Sequence, residues 1–335
     1  MSSVINDDKY VLPKSLDSLE SIKASSDEIE INYRDKFYIN SKVRDGVSIK
    51  KYSLENASSL LDLDKNLNFF EKVSLLKSRE ILVIEIFKSL KSPLRINYFL
   101  GANKERALYS PIIILDIKNS SFANIIETYI DENSDNTNTH LVLPVSFVNI
   151  FEGCKLEMYR YVENESNKII FNDNINVLGE FNLTNINFSK NILREKININ
   201  LLKRLALSKV SNINFAKNSS FIDVLVSMNH KSSFTRSAQD VKFVLKDSAR
   251  TAFTGEVVVE KNLEKIKSTQ LCRSMLFSKD AKAKAKPWLK IFSDDVECSH
   301  GATYGELDRQ KLFYLLTRGI KETLAKKNLA KCFYR

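Results

Sequence analysis

Four apolar segments near the C-terminus follow one another at a fairly regular pitch. They are Lys242-Phe-Val-Leu, Glu256-Val-Val-Val, Ser274-Met-Leu-Phe and Trp288-Leu-Lys-Ile-Phe. The stretches between them are too short and too charged to supply the helical layer of a βαβ fold. Strands so connected must stack on one another or face one another, as in a β-solenoid or a sandwich. The pitch reads as about one solenoid coil per strand. Upstream, Glu80-Ile-Leu-Val-Ile-Glu-Ile-Phe, Pro111-Ile-Ile-Ile-Leu-Asp-Ile and Leu141-Val-Leu-Pro-Val-Ser-Phe-Val are also β-rich. Phe171, Ile175 and Val177 alternate with Asn172, Asn174 and Asn176, and Ile197-Asn198-Ile199-Asn200-Leu201 repeats that period. No sequence repeat is legible. Eleven asparagines lie between positions 151 and 200, in a chain with eight glycines. Asn tolerates the left-handed conformation, so these residues are expected to replace glycine in turns.

A chain of 335 residues buries a large core, and 43% hydrophobic with 27% charged residues is ordinary for a globular protein. No apolar run approaches a membrane span. Asp7, Asp8, Asp17 and Glu20 argue against a transit peptide, and no signal peptide is read. Four scattered cysteines form no disulfide framework, so a reducing, cytoplasmic location is expected. The net charge of +10 is spread along the chain rather than gathered with aromatics, which disfavours nucleic acid as a partner.

The chain divides into three parts. Residues 1–45 are polar, with Leu16, Leu19 and Ile22 at helical spacing. Residues 46–303 carry the strands. Residues 304–335 read as a helical hairpin, with Asp308 as N-cap, Gly319 at C′ and a second helix through Ile320, Leu324, Leu329 and Phe333. Lys282-Ala-Lys-Ala-Lys reads as an edge-proximal turn or strand whose lysines block edge pairing.

Cys298 and His300 are two residues apart. On a strand that places them on one face, about 6–7 Å apart at Cα. Thiolate and imidazole suit iron or a nascent cluster, but two ligands are too few for a self-contained site. The bland alternative is a buried Cys and a hydrogen-bonded His at a turn. Cys154, Cys272 and Cys332 read as structural or incidental. His140 follows a polar loop and is expected to face solvent, and His230 to hydrogen-bond a turn. Asp294 and Asp295 are adjacent and cannot share a substrate on a strand, so they read as turn or interface charges. Gly301 to Gly305 lacks the Gly-Lys-Ser/Thr ending of a phosphate loop.

Asp294 to Thr303 and Gly305 are followed by Leu312-Phe313-Tyr314-Leu315 and Arg318-Gly319-Ile320. Before them His230, Lys242, Leu245, Arg250, Phe253, Gly255, Gln270, Ala281 and Pro287 keep a matching order. Together these motifs resemble the SufB/SufD family, scaffold proteins of iron–sulfur cluster assembly, over residues 45–335. The wording Cys-Ser-His-Gly-Ala-Thr is similar to the SufD branch. The resemblance implies a mainly β fold, a right-handed parallel β-helix with a short N-terminal helical region and a C-terminal helical hairpin. It implies a non-enzymatic scaffold subunit that pairs with a SufB-like scaffold. A SufC-like ABC-type ATPase would dock on Leu312, Phe313, Tyr314, Leu315, Arg318 and Gly319. Cys298 and His300 would be metal ligands shared with the partner chain, holding transient iron or an iron–sulfur cluster at the interface. ATP-driven closure of the ATPases would shift the hairpins and reshape that interface. No nucleotide site of its own and no membrane contact are implied. The chain departs from the family in its short N-terminal region, its few glycines, and Asn262-Leu-Glu-Lys-Ile-Lys-Ser-Thr in place of an Ala-Gln-Lys-Thr-like stretch. A basic nucleic-acid-binding β protein is one rival reading, and a β-helix enzyme acting on polysaccharide is the other. It needs a cluster of carboxylates or bases on neighbouring coils and an aromatic groove, which a single Trp argues against.

Overall fold

Alternation along each strand becomes a core only once the coils are in register, and the computed structural model shows that register. It describes residues 29–40, 45–53, 67–101, 107–132 and 139–334. The early strands are mostly short: β1 (Ile29–Tyr33), β2 (Phe37–Ile39), β3 (Val47–Tyr52), β4 (Ile81–Ile86), β5 (Leu94–Leu100), β6 (Leu108–Tyr109) and β7 (Ile112–Ile117). Next come β8 (Phe122–Asp131), β9 (Leu141–Val142) and β10 (Val145–Ile150). The later strands are long: β11 (Lys155–Asn164), β12 (Lys168–Val177), β13 (Glu180–Ser189), β14 (Ile192–Leu201), β15 (Leu207–Ala216) and β16 (Phe221–His230). They end with β17 (Arg236–Leu245), β18 (Arg250–Val259), β19 (Ile266–Leu276), β20 (Lys282–Ile291) and β21 (Val296–Glu306).

The strands form a parallel β-solenoid. Successive long strands alternate between two sheets, β8-β11-β13-β15-β17-β19-β21 on one side and β10-β12-β14-β16-β18-β20 on the other. A coil therefore contains two long strands, and the pitch read from the sequence is half a coil. Ile169 pairs with Leu193 and Arg250 with Lys282, so the coil lengthens from 24 residues to 32 toward the C-terminus. Inward positions such as Ile197, Val226 and Val257 fill one continuous core between the sheets.

At the N-terminal end each sheet finishes in an antiparallel strand, β2 on β1 and β3 on β4. The β-structure thus starts at Ile29, ahead of the boundary read at residue 46, and β21 runs three residues past 303. Leu16, Leu19 and Ile22 lie outside the described residues. A helix does occur at Phe69–Lys77, held by an Asn68–Glu71 capping box and tied to β12 by Asn68–Asn172 and Asn174–Glu71 hydrogen bonds.

None of the eleven asparagines between 151 and 200 has positive φ. The expectation of Asn-built turns is corrected: nine of them lie in strands, and several stack across coils. Asn149 donates to Asp116, Asn176 to Asn149, Asn200 to Asn176 and Asn229 to Asn200, at 2.9, 3.0, 3.1 and 3.3 Å. Parallel in-register coils bring like residues side by side, so each amide serves as its neighbour's donor or acceptor.

The interior also holds charge. Arg160 is 1% exposed. Its Nε donates to Glu127 at 2.7 Å, and its Nη1 and Nη2 form a fork on Asp173 at 2.7 and 2.9 Å. Glu195 is buried one coil further on, accepting from Asn185 and Asn212. Burial pushes the carboxyls of Glu127 and Glu195 upward. These carboxylates lie inside the solenoid, out of reach of a polymer on its surface.

The two C-terminal helices, Arg309–Thr317 and Glu322–Tyr334, form the expected hairpin. The Asp308 side chain accepts from Gln310 and Lys311 N–H, and Gly319 has φ +79. Only the second helix is seated on the solenoid, placing Ala330 on Ile186, Phe215 and Val244. Among the described residues no helix is long and apolar enough to cross a membrane.

Candidate functional site at the open end of the solenoid

Every coil but the last is covered by its successor. The last coil is β20 and β21, each the terminal strand of its sheet. Inward residues there, including Ala283, Leu289, Val296 and Cys298, remain partly exposed. Trp288, Phe292 and Tyr304 are about half exposed around the rim. An open sheet end with exposed aromatics is a surface made for a partner.

The two edges differ. Lys282 N–H donates to Ala249 O and Phe292 N–H to Val259 O, so even-numbered residues of β20 bond inward to β18. Odd-numbered residues then face the open side, and Pro287 is among them, where its missing N–H costs no ladder bond. Lys282, Lys284 and Lys286 are exposed along the same edge strand. Proline and repeated lysine guard β20 against pairing, the lysines as the sequence suggested. On β21, Leu307 N–H donates to Leu276 O and Asp295 O accepts from Ile266 N–H. Odd-numbered positions bond to β19, so the N–H and C=O groups of Cys298, His300, Ala302 and Tyr304 point to the open side. From Cys298 to Gly305 this edge carries neither charge nor proline.

Cys298 and His300 share the inner face of β21, in register with Ser268 and Gln270 of β19. Cys298 is half-buried, and burial pushes its thiol up while the Ser268 main chain pulls it the other way. His300 is exposed and on a strand, so the picture of a hydrogen-bonded turn histidine does not hold. Cys298 and His300 are brought together at the rim. Among the described residues no group of three or more His, Cys, Asp or Glu side chains could hold a metal ion.

Behind Cys298 runs a buried chain of hydrogen bonds that sequence reasoning missed. His230 Nδ1 lies 2.7 Å from Thr235 Oγ1, and that hydroxyl donates to Ser232 O. With the hydroxyl proton committed, Nδ1 is the donor. Nε2 therefore accepts from Ser237 Oγ at 2.9 Å, and Ser237 accepts from Ser268 Oγ at 2.7 Å. Burial lowers the His230 pKa to about 4, keeping the ring neutral. Ser268, having donated inward, offers only acceptor capacity on the Cys298 side. His140, expected at the surface, is buried: its Nδ1 accepts from Ala107 N–H, and its ring meets Tyr109 edge-on. Burial lowers its pKa. Cys154 and Cys272 are buried, whereas Cys332 is exposed.

The remaining candidate residues lie on the first C-terminal helix, away from the rim in sequence. Phe313 is 68% and Tyr314 57% exposed, Arg318 stacks over Tyr314 at 5.2 Å, and Leu312 and Leu315 are half-buried. Arg318 is the C-cap residue, and Gly319 follows it outside the helix.

Fold and site together define a β-solenoid protein whose C-terminal coil bears a thiol and an imidazole at its open edge. A family model described as "SUF system FeS cluster assembly, SufBD core domain" matches residues 99–333. The chain belongs to this SufBD family of iron–sulfur cluster assembly proteins, and its named relatives are SufD-like. It is similar to the Escherichia coli iron–sulfur cluster assembly protein SufD, at 29% identity over 42% of this chain and 34% of that protein. Protein ABCI7, chloroplastic, of Arabidopsis thaliana is 24% identical over 88% of this chain and 65% of its own length. The Plasmodium berghei iron–sulfur cluster assembly protein SufD is 27% identical over 67% of this chain and 17% of its own. The chain thus spans from about a sixth to about two thirds of the lengths of these relatives.

Proposed function

We propose that this chain is a non-enzymatic, SufD-like scaffold subunit that pairs through β21 with a SufB-like scaffold. The unguarded edge of β21 carries this reading, because it presents main-chain donors and acceptors beside Cys298 and His300. A strand from the partner would complete the sheet and supply the missing ligands. Iron or a nascent iron–sulfur cluster, the cargo of the assembly reaction, would then bind between the chains. Phe313, Tyr314 and Arg318 support docking of a SufC-like ABC-type ATPase, since exposed aromatics and arginine on a seated hairpin are typical interface anchors. Four free cysteines support a reducing compartment, the cytoplasm.

Ala302→Pro tests the pairing. It removes an N–H that points to the open side and breaks no bond to β19. Co-purification with the SufB-like scaffold should be lost, with the melting temperature of the isolated chain nearly unchanged. Undiminished pairing rules out β21 as the main edge.

A further inference from the structure

Gln270 stands apart from the other buried polar groups near the rim. It is 1% exposed, and neither its amide oxygen nor its amide nitrogen has a hydrogen-bond partner. Buried amides are nearly always paired, because an unmade bond leaves the full desolvation cost uncompensated. Its register neighbours are Gln239 on one side and His300 on the other. The Gln239 amide nitrogen is already used on Glu256 O at 3.2 Å. His300 shares the inner face with Gln270, and in-register strands lie about 5 Å apart. Rotation of the Gln270 or His300 side chain brings amide oxygen and imidazole together. No described residue hydrogen-bonds His300.

We propose that Gln270 is the positioning residue of His300: its amide oxygen accepts one imidazole N–H and leaves the other ring nitrogen as a lone-pair donor at the open edge. An imidazole that offers one nitrogen to a ligand needs its tautomer fixed by a bond at the other. The inference rests on the reading of His300 as a donor at the partner interface, but its test does not require metal.

The chain has three histidines, so selective 15N-histidine labelling of the full-length protein gives three imidazoles, and His300→Ala assigns the third. The wild type should show one His300 tautomer. Gln270→Met should shift the His300 ring nitrogens toward the tautomer mixture of free imidazole. Gln270→Glu, nearly isosteric, should move the His300 ring-nitrogen shifts by putting a carboxylate in place of the amide oxygen. His230 should be unmoved in both, reporting an intact interior. Unchanged His300 ring-nitrogen shifts in both folded variants overturn the proposal. If one variant misfolds, the other decides. Iron content of the purified complex separates the two readings. Loss with His300→Ala but no Gln270 effect on the ring leaves the donor role and removes the positioning role. A Gln270-dependent tautomer with unaltered iron in His300→Ala leaves the positioning role alone.

Discussion

His230 is neutral in the fold and chargeable outside it, which makes it a pH sensor of stability. Its folded pKa is about 4, against an ordinary value of 6.5. For a base whose pKa is depressed by folding, the unfolded chain takes up the proton first. The neutral ring contributes fully above pH 6.5. Its contribution falls as the pH drops from 6.5 to 4, by roughly 3 kcal/mol in all. His230→Gln should flatten the dependence of melting temperature on pH in that window, and an unchanged slope would show that other groups set it. Arg160 is the second sensitive residue. Arg160→Ala leaves Glu127 and Asp173 buried without their cation and should cost about 3–5 kcal/mol in chemical denaturation. A loss under 1 kcal/mol would mean the carboxylates simply take up protons. Neither role was legible in the sequence. His230 could be expected to bond a turn, and it does bond Thr235. Its link through Ser237 and Ser268 toward Cys298 depends on three coils coming into register, which no local pattern encodes.

At the scale of elements, the hairpin divides its labour between two helices. Its caps were legible because Asp308 and Gly319 act locally. Which helix is seated was not. Hydrophobicity favours Leu324, yet Leu324 is 49% exposed while Ala325 and Ala330 are buried. Small side chains let the second helix lie close on the Phe188–Phe215 stack, whose rings are 4.6 Å apart. Ala330→Glu should therefore undock the helix and lower stability by about 1–3 kcal/mol by overpacking and charge burial. Phe313→Ala and Tyr314→Ala should leave stability within about 0.5 kcal/mol, as exposed sites do, yet weaken capture of the ATPase. Thermal melts paired with a pull-down separate the two behaviours. A large stability loss in Phe313→Ala would make it a packing residue instead. The strands repeat the lesson. The Ile-Asn period of β12 and β14 was visible in the sequence, but the ladder of stacked amides that runs from Asn229 to the Asp116 carboxylate appears only when neighbouring coils align. Turn chemistry was the better guess from one strand alone.

For the whole molecule, the two ends of the solenoid decide what it can join. At the N-terminal end the last strands β2 and β3 run antiparallel to their neighbours and bury Phe37 and Val47, whereas β20 and β21 end their sheets with inward residues partly exposed. The strand pitch left solenoid and sandwich open, and the parallel fold came from the family resemblance, whereas the shared face of Cys298 and His300 follows from strand alternation. The open edge does not, because it depends on which strand comes last in each sheet. Lys282, Lys284 and Lys286 were recognisable as edge protection, whereas the part of Pro287 shows only once β20 is seen to end its sheet, and the bareness of β21 is their counterpart. Hydrogen exchange read by mass spectrometry addresses pairing most directly, on the isolated chain and on its complex with the SufB-like scaffold. In the isolated chain the edge-facing amides of Cys298, His300, Ala302 and Tyr304 should exchange rapidly, while those of β19 are protected. Binding the partner should slow exchange across residues 296–306 and leave β11 to β16 unchanged. Rapid exchange of residues 296–306 that persists in the stable complex would contradict pairing through this strand.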